Sequence, residues 1–214
     1  MRGLRCAVAI INNVSNPPSI ASLPRIHTIF IDRDGVVNEK MPEGQYVRSL
    51  ADFRILDGVP EAIARLNHAG LRVVVVTNQS GIAQGLYTAA DVLAIHASLK
   101  DTLARHGARI DGFYFCPHGR AGGCNCRKPL PGMFEQAQAE FPEIDGASSI
   151  MIGDSLPDIE FGYRLGMQTI FIEGNPRRQK PGAEAAAKLA GRSFPSLAKA
   201  VEFLLEKQIL ARAI

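Results

Sequence analysis

A chain of 214 residues, of which 46% are hydrophobic and 21% charged, is long enough for one α/β domain with a sizeable buried core. Its formal net charge of +3 comes without long Lys/Arg blocks, which argues against nucleic acid as the main partner. No apolar run approaches the ~20 residues of a membrane-spanning helix, and the stretch Cys6 to Ile11 is too short for the hydrophobic region of a signal peptide. We therefore expect a cytoplasmic protein that does not enter a membrane.

Strand and helix patterns alternate along the chain after a polar, proline-containing start. We expect residues 1–25 to be a loosely ordered N-terminal extension and residues 26–214 to form a single domain. The expected strands are 26–31, 72–77, 112–116, 149–153 and 168–172, and the expected helices are 59–69, 88–106, 131–141, 156–165, 183–190 and 196–211. Such an alternation is typical of a Rossmann-like, doubly wound parallel sheet.

Polar side chains stand at the ends of three of these strands. Asp32 and Asp34 follow the first strand, Thr77 and Asn78 end the second, and Asp154 follows the fourth. The carboxyl ends of parallel strands form one edge where ligands bind, and an ionised aspartate is costly to bury without a partner. We therefore expect these side chains in a shared crevice, although a turn with two solvated acids would also account for the Asp-x-Asp pattern.

Arg127 and Lys128 follow a cysteine in the run Cys126-Arg-Lys-Pro129. Lysine offers a point charge to a phosphoryl group, and arginine a planar fork for a second anionic group. An Arg-Lys pair more often lies on a solvated surface. Its place beside a candidate metal ligand favours the functional interpretation.

Three cysteines and one histidine are clustered in the short segment 116–126. Cys116, His118, Cys124 and Cys126 supply three thiolates and an imidazole, which is a complete tetrahedral set for a structural zinc ion. Zinc would fix the glycine-rich loop 119–123 and the two basic residues that follow Cys126. The alternative is a group of reduced, buried thiols beside an unrelated histidine.

In order along residues 28–173, these motifs resemble the four motifs of the haloacid dehalogenase superfamily of phosphatases. The resemblance implies that Asp32 is a nucleophile that forms an aspartyl-phosphate, and that Asp34 is the general acid and base. It implies a Mg²⁺ ion bound by Asp32, the backbone carbonyl of Asp34, and Asp154, with Asp158 in support. The remaining motif residues would bind the phosphoryl group: Thr77, Asn78 and Lys128.

Within that superfamily, the chain resembles the D-glycero-D-manno-heptose 1,7-bisphosphate 7-phosphatases and their relatives, the histidinol-phosphate phosphatases. The run Thr77-Asn-Gln-Ser80 favours the heptose group, whereas the seven residues between Cys116 and Cys124 are similar to the shorter zinc loop of the histidinol group. The resemblance implies a monomer that acts on a small phosphorylated sugar, with Arg127 on the second phosphate. Ser155, where some heptose enzymes carry lysine, leaves the preferred anomer open.

Three other functions remain as alternatives. A histidinol-phosphate phosphatase would share all the catalytic motifs, and a polynucleotide 3′-phosphatase would share them too but needs a cationic track for its strand. A non-catalytic zinc-stabilised binding module would have no need of Asp32, Asp34, Lys128 and Asp154 together. Residues 38–57 are too short for a cap domain, so we expect an open site.

Overall fold

The computed structural model describes residues 26–179 and 181–212, with side chains up to Lys207. Six parallel strands form one sheet in the order β3-β2-β1-β4-β5-β6. The strands are β1 (Thr28–Ile31), β2 (Arg72–Asn78), β3 (Gly112–Cys116), β4 (Ser149–Gly153), β5 (Gln168–Ile172) and β6 (Arg192–Phe194). The helices are α1 (Val59–His68), α2 (Ala89–Arg105), α3 (Gly132–Glu140), α4 (Leu156–Arg164), α5 (Ala183–Leu189) and α6 (Leu197–Arg212), with a 3₁₀ turn at Pro176–Arg178. The expected extension over residues 1–25 lies outside the described residues.

The strand order confirms the doubly wound parallel sheet. β1 pairs with β2 on one side and with β4 on the other, so the direction of winding reverses between β1 and β4. In open α/β sheets the crevice at such a reversal is where ligands bind. Asp32 follows β1 and Asp154 follows β4, so both lie at this crevice.

The core is divided between the two faces of the sheet because successive side chains of a strand point to opposite faces. Ile29 and Ile31 belong to the cluster that includes side chains of α1, α2 and α6. Phe30, between them, belongs to the cluster formed with α3 and α4. All three side chains are fully buried, which explains why the first strand reads as a continuous apolar run.

The element boundaries differ from the expected ones in small ways. β1 begins at Thr28 rather than at residue 26, and α3 begins after Pro131, which serves as its N-cap residue. The expected capping box is confirmed, since the Thr88 hydroxyl accepts from the backbone N–H of Asp91 at 3.2 Å and the Asp91 carboxylate accepts from the backbone N–H of Thr88 at 2.8 Å. The strand β6 was not expected, because it is only three residues long and begins with two polar residues, Arg192 and Ser193, both of which are exposed.

No cap domain is inserted among residues 38–57, as expected. This segment holds an isolated bridge between Asn38 and Ile55 but neither a helix nor a regular strand. Residues 38–57 therefore form a loop segment after the first motif. No helix in the described part of the chain combines the length and the apolar character needed to cross a membrane.

Candidate active site

The side chain of Lys128 lies between two buried carboxylates at the crevice. Its Nζ is 2.7 Å from Oδ1 of Asp32 and 2.6 Å from Oδ1 of Asp158, and it donates to the carbonyl oxygen of Val76 at 2.6 Å. Burial raises the pKa of Asp32; Lys128 lowers it, but neighbouring carboxylates raise it again, so it stays above its ordinary value. Burial disfavours the charge of Lys128, but the two carboxylates outweigh burial and raise its pKa. The ammonium group is thus held beside the expected nucleophile.

Asp154 brings a third carboxylate to the same place. Carboxylate oxygens of Asp32, Asp154 and Asp158 all lie within 4.8 Å of one another. Burial raises the pKa of Asp154 to about 7; an ion pair with Lys40 lowers it, while the other carboxylates raise it. Three buried, mutually repelling carboxylates form the oxygen-rich surroundings that a hard divalent cation such as Mg²⁺ prefers.

Asp34 has a different set of partners from Asp32. Nη2 of Arg33 donates to both of its carboxylate oxygens at 3.0 Å, Nδ2 of Asn38 donates to Oδ1 at 3.0 Å, and Nε2 of Gln79 donates to Oδ2 at 2.9 Å. Burial alone would raise the pKa of Asp34, but the charge of Arg33 and these hydrogen bonds outweigh it and hold the pKa below its ordinary value. The carboxylate is therefore fixed in one orientation by three donors.

Thr77 and Asn78 lie at the end of β2 with different tasks. The Thr77 hydroxyl is buried and accepts from Nε2 of Gln79 at 2.9 Å, which leaves its own proton available for another acceptor. Asn78 is bonded to the backbone of Lys128: its Oδ1 accepts from the N–H at 3.0 Å, and its Nδ2 donates to the carbonyl at 3.2 Å. Asn78 thus holds the backbone of Lys128 in place.

The guanidinium of Arg33 is a buried cation that contacts Asp34. Arg33 is fully buried, and its Nη1 has no hydrogen-bond partner among the described residues. His96 of α2 is also buried and stacks on Phe113 with ring centroids 4.6 Å apart. Burial lowers the pKa of His96 to about 3, and the charge of Arg33 lowers it as well. This imidazole is therefore neutral and serves as a buried aromatic packing group.

The four expected zinc ligands converge. Their ligand atoms lie within 4.8 Å of one another: Cys116 Sγ is 3.6 Å from Cys124 Sγ, and His118 Nδ1 is 3.2 Å from Cys126 Sγ. A tetrahedral zinc ion with Zn–S bonds of about 2.3 Å requires ligand atoms about 3.8 Å apart. The chemistry and spacing of this donor set fit zinc.

Arg127 lies between the cysteine cluster and Lys128. It is half-buried, and its Nη1 donates to the carbonyl oxygen of His118 at 3.2 Å. An arginine carries five N–H donors, so this bond leaves others with which a guanidinium can bind an anion. The segment 116–126 is thereby linked to the basic pair that follows it.

A polar cavity opens beside Asp154 and is bounded by the loop after β5. Its walls include Lys40, Glu173, Asn175 and Arg178. The motifs did not point to these residues, because they lie in a connecting loop and in the segment after the first motif. Arg33 and Gln79 lie within the motifs, but their roles were missed because only the fold brings them to the Asp34 carboxylate. Likewise only the fold brings Lys40 to Asp154.

The sheet order and the cluster of Asp32, Lys128, Asp154 and Asp158 define the class of protein. The family model described as HAD-hydrolase-like matches residues 125–200, which carry three of these four residues. The chain is accordingly a hydrolase of the haloacid dehalogenase type.

Named relatives narrow the class to a family. The chain is 39% identical over 186 residues to D-glycero-β-D-manno-heptose-1,7-bisphosphate 7-phosphatase of Yersinia pestis, covering 83% of this chain and 96% of that protein. It is 38% identical over 169 residues to the α-anomer enzyme of Mycobacterium tuberculosis, covering 79% of this chain and 86% of that protein. The chain belongs to the family of the D-glycero-D-manno-heptose 1,7-bisphosphate 7-phosphatases.

Solved structures agree with this membership. The D,D-heptose 1,7-bisphosphate phosphatase from B. bronchiseptica, complexed with magnesium and phosphate, superposes with a TM-score of 0.74 at 35% identity, covering 85% of this chain and 99% of that chain. The corresponding enzyme from Burkholderia thailandensis gives a TM-score of 0.58 at 34% identity, covering 83% and 98%. The heptose resemblance is therefore confirmed, and the histidinol-phosphate alternative is not favoured.

Proposed function

We propose that this protein is a Mg²⁺-dependent phosphatase that removes the 7-phosphate of D-glycero-D-manno-heptose 1,7-bisphosphate. The observation that carries this proposal is the ammonium of Lys128, held 2.7 Å from the expected nucleophile Asp32 and 2.6 Å from Asp158. Phosphoryl transfer needs a nucleophile in line with the leaving group and fixed cations for the charge on the phosphoryl oxygens. Relatives named for this reaction, at 36–39% identity, support the substrate.

In this mechanism Asp32 attacks the phosphorus and forms an aspartyl-phosphate, which water then hydrolyses. Lys128 and the Thr77 hydroxyl neutralise and bind the phosphoryl oxygens, while Asn78 holds the lysine backbone in place. Asp34 enters the cycle protonated, gives this proton to the leaving alkoxide and takes one from the attacking water in the second step. Although burial opposes it, Arg33 lowers the pKa of Asp34 in the free protein, and the negative charge of the bound phosphate raises it again when substrate binds. Both steps use the same phosphorus position, so a fixed geometry serves the whole reaction.

Asp32, Asp154 and the backbone carbonyl of Asp34 would hold Mg²⁺, with Asp158 supporting Lys128. The clustered carboxylate oxygens fit this ion. The pKa values of Asp32 and Asp154 are raised by burial first and then by repulsion between the carboxylates, and a bound divalent cation would relieve that repulsion. When bound, the ion supplies positive charge that stabilises the transferring phosphoryl group. The B. bronchiseptica relative, whose structure contains magnesium and phosphate, supports this cofactor.

Zinc bound by Cys116, His118, Cys124 and Cys126 would be structural, because four protein ligands leave no open position. It would fix the base of the segment that carries Arg127, and the free donors of this arginine suit the second phosphate of a bisphosphate substrate. We further propose that the protein acts as a cytoplasmic monomer on a small sugar phosphate and not on nucleic acid. The lack of basic blocks supports the last point.

The test is phosphate release with Mg²⁺ from both anomers of the heptose bisphosphate and from histidinol phosphate. We expect kcat/KM for one heptose anomer to exceed that for histidinol phosphate at least about 100-fold, a difference of about 2.7 kcal/mol in transition-state binding. The preferred anomer then assigns the protein to one of the two named groups of relatives. Asp32→Asn removes the nucleophile and should abolish the activity.

A preference for histidinol phosphate would overturn the substrate assignment. Activity retained by Asp32→Asn would overturn the mechanism itself. Single-turnover mass spectrometry of the wild-type protein, looking for a phosphate adduct on Asp32, checks the intermediate independently of which sugar is the substrate.

A further inference from the structure

Gln79 is the one side chain that contacts both the expected acid–base group and the expected phosphate-binding hydroxyl, among the residues that the structure describes. Its Nε2 donates to Oδ2 of Asp34 at 2.9 Å and to Oγ1 of Thr77 at 2.9 Å. Gln79 is itself 2% exposed, so solvent does not compete for these bonds. The sequence motifs assigned Gln79 neither an acid–base role nor a phosphate-binding role.

The orientation of the Gln79 amide is fixed by two donors on its other side. The Tyr87 hydroxyl donates to Oε1 at 2.8 Å, and Nη2 of Arg33 donates to the same oxygen at 3.4 Å. An amide rotated by 180° would turn its NH₂ group toward the Arg33 guanidinium, which has no acceptor, and its oxygen toward the Asp34 carboxylate. Only the observed orientation satisfies all four neighbours.

Space for the tyrosine comes from a glycine in the same loop. A Cβ on Gly81 would lie 2.2 Å from Cε1 of Tyr87, so a side chain at Gly81 would displace the ring. The Tyr87 hydroxyl is buried with the network, and burial together with the Asp34 charge raises its pKa to about 12. The tyrosine therefore keeps its proton near neutral pH and remains a donor.

We propose that Gln79, oriented by Tyr87, is a positioning residue that aligns Asp34 with the leaving group and directs the Thr77 hydroxyl proton toward the phosphoryl group. Because Thr77 Oγ1 accepts from Gln79, the hydroxyl hydrogen must point elsewhere, and the phosphoryl oxygens are the acceptors that the reaction supplies. Because Asp34 accepts from Gln79 through Oδ2, its carboxylate cannot rotate freely. This inference rests on the proposed phosphatase mechanism but not on the identity of the sugar.

The experiment compares phenyl phosphate with p-nitrophenyl phosphate in wild type and Gln79→Met. Phenolate is a poorer leaving group that needs the Asp34 proton, whereas p-nitrophenolate leaves without one. The constant kcat/KM covers the steps up to release of the leaving group, so it isolates the acid step from the later attack of water. We expect Gln79→Met to lower kcat/KM for phenyl phosphate about 100-fold. The loss for p-nitrophenyl phosphate should be at most about tenfold.

Gln84→Met is the matched control, because Gln84 is an exposed glutamine of the same loop that donates to the Tyr46 hydroxyl at 2.8 Å. It should keep wild-type constants for both substrates. Tyr87→Phe removes only the hydroxyl that orients Gln79. We expect it to lower kcat/KM for phenyl phosphate about fivefold, with the smaller effect on p-nitrophenyl phosphate. The melting temperature should fall by only about 5 °C, the cost of one buried hydrogen bond. This variant keeps the test decisive if Gln79→Met fails to fold.

Equal losses for the two substrates in both variants would overturn the alignment of Asp34, and wild-type constants in folded Gln79→Met would overturn both positioning roles. A wild-type protein that hydrolyses both aryl phosphates but no heptose bisphosphate would overturn the proposed substrate alone. No hydrolysis of any phosphate ester by the wild type would overturn both. The three results are distinguishable within one set of assays.

Discussion

The backbone of Gly35 lies so close to the carboxylate of Asp154 that position 35 has no room for a side chain. A Cβ on Gly35 would be 2.1 Å from Oδ2 of Asp154, and the glycine has φ +103°, a conformation that L side chains rarely adopt. The glycine after Asp34 therefore makes room for an expected metal ligand from a different strand, in addition to turning the chain.

Gly35→Ala should weaken Mg²⁺ binding by at least about tenfold, because Asp154 must move away from the added methyl group. Isothermal titration with Mg²⁺ measures this directly. Gly44→Ala is the matched control: Gly44 also has positive φ (+79°) but nothing within 4 Å of its Cβ position. It should lose about 1 kcal/mol of stability from backbone strain and keep its Mg²⁺ affinity. Equal affinities in the two variants would show that Asp154 does not contribute to the metal site.

Lys128→Met should destabilise the metal-free protein strongly, since it leaves the buried carboxylates of Asp32 and Asp158 facing each other without a cation. Removing one partner of a buried ion pair costs about 3–5 kcal/mol, and urea unfolding should show a loss of that size. Lys188→Met removes a lysine from the exposed pair with Glu184, and its unfolding midpoint should not change measurably. A Lys128→Met protein as stable as wild type would mean that these carboxylates are already neutral.

The stability of the metal-free protein should fall between about pH 4 and about pH 7. The pKa of Asp154 is raised from 3.8 to about 7, so in this window the folded protein keeps a proton that the unfolded chain has released. Binding more protons in the folded state makes stability decrease as pH rises, and the loss should level off above pH 7. The raised pKa of Asp32 acts in the same direction, whereas the lowered pKa of Asp34 acts only below its ordinary value.

Thermal melts of metal-free protein across this pH range measure the effect. Asp154→Asn should flatten the slope, and saturating Mg²⁺ should do the same in wild type because it holds the carboxylates ionised. Stability that rises with pH across the window in metal-free wild type would contradict the assignment.

Cys126→Ser should lose zinc and, with it, activity. Cys126 is one of four converging ligands and directly precedes Arg127 and Lys128, so loss of the ion would free the segment that carries both cations. We expect the metal content by atomic absorption to fall from about one zinc per chain to near zero, with a melting temperature lower by at least about 5 °C. Cys6→Ser, which changes the cysteine that stands apart in the sequence, should retain zinc. A fully active, zinc-free Cys126→Ser protein would show that the ion is not needed to hold this segment in place.

The parts of the site that the sequence predicts well are those carried by strand ends. Asp32, Thr77 and Asp154 each follow or end a run of apolar residues, and parallel pairing necessarily brings such ends to one edge of a sheet. The zinc ligands were equally accessible to prediction, because three cysteines and a histidine within eleven residues are typical of a structural zinc site. Their convergence in the fold follows from that short spacing.

The partners of these residues were not predictable, because they depend on distances between segments rather than on patterns within one. Lys40 meets Asp154 across 114 residues, and Gln79 meets Asp34 across 45 residues. Asn78 illustrates the difference in detail: its place at the strand end was predicted, but both of its amide atoms are bonded to a backbone 50 residues away. A sequence shows that an amide is present and leaves open which of several acceptors it will meet.

The ion pair between Lys128 and Asp32 joins positions 96 residues apart, and the lysine also bonds to the carbonyl of Val76 in a third segment. These contacts require β1 and β2 to lie side by side, and pairing of distant parallel strands is slow because loop closure precedes any gain from contact. Catalytic activity should therefore be the last property regained on refolding, after helical circular dichroism. The rate at which turnover recovers would then report the rate at which the central sheet is completed.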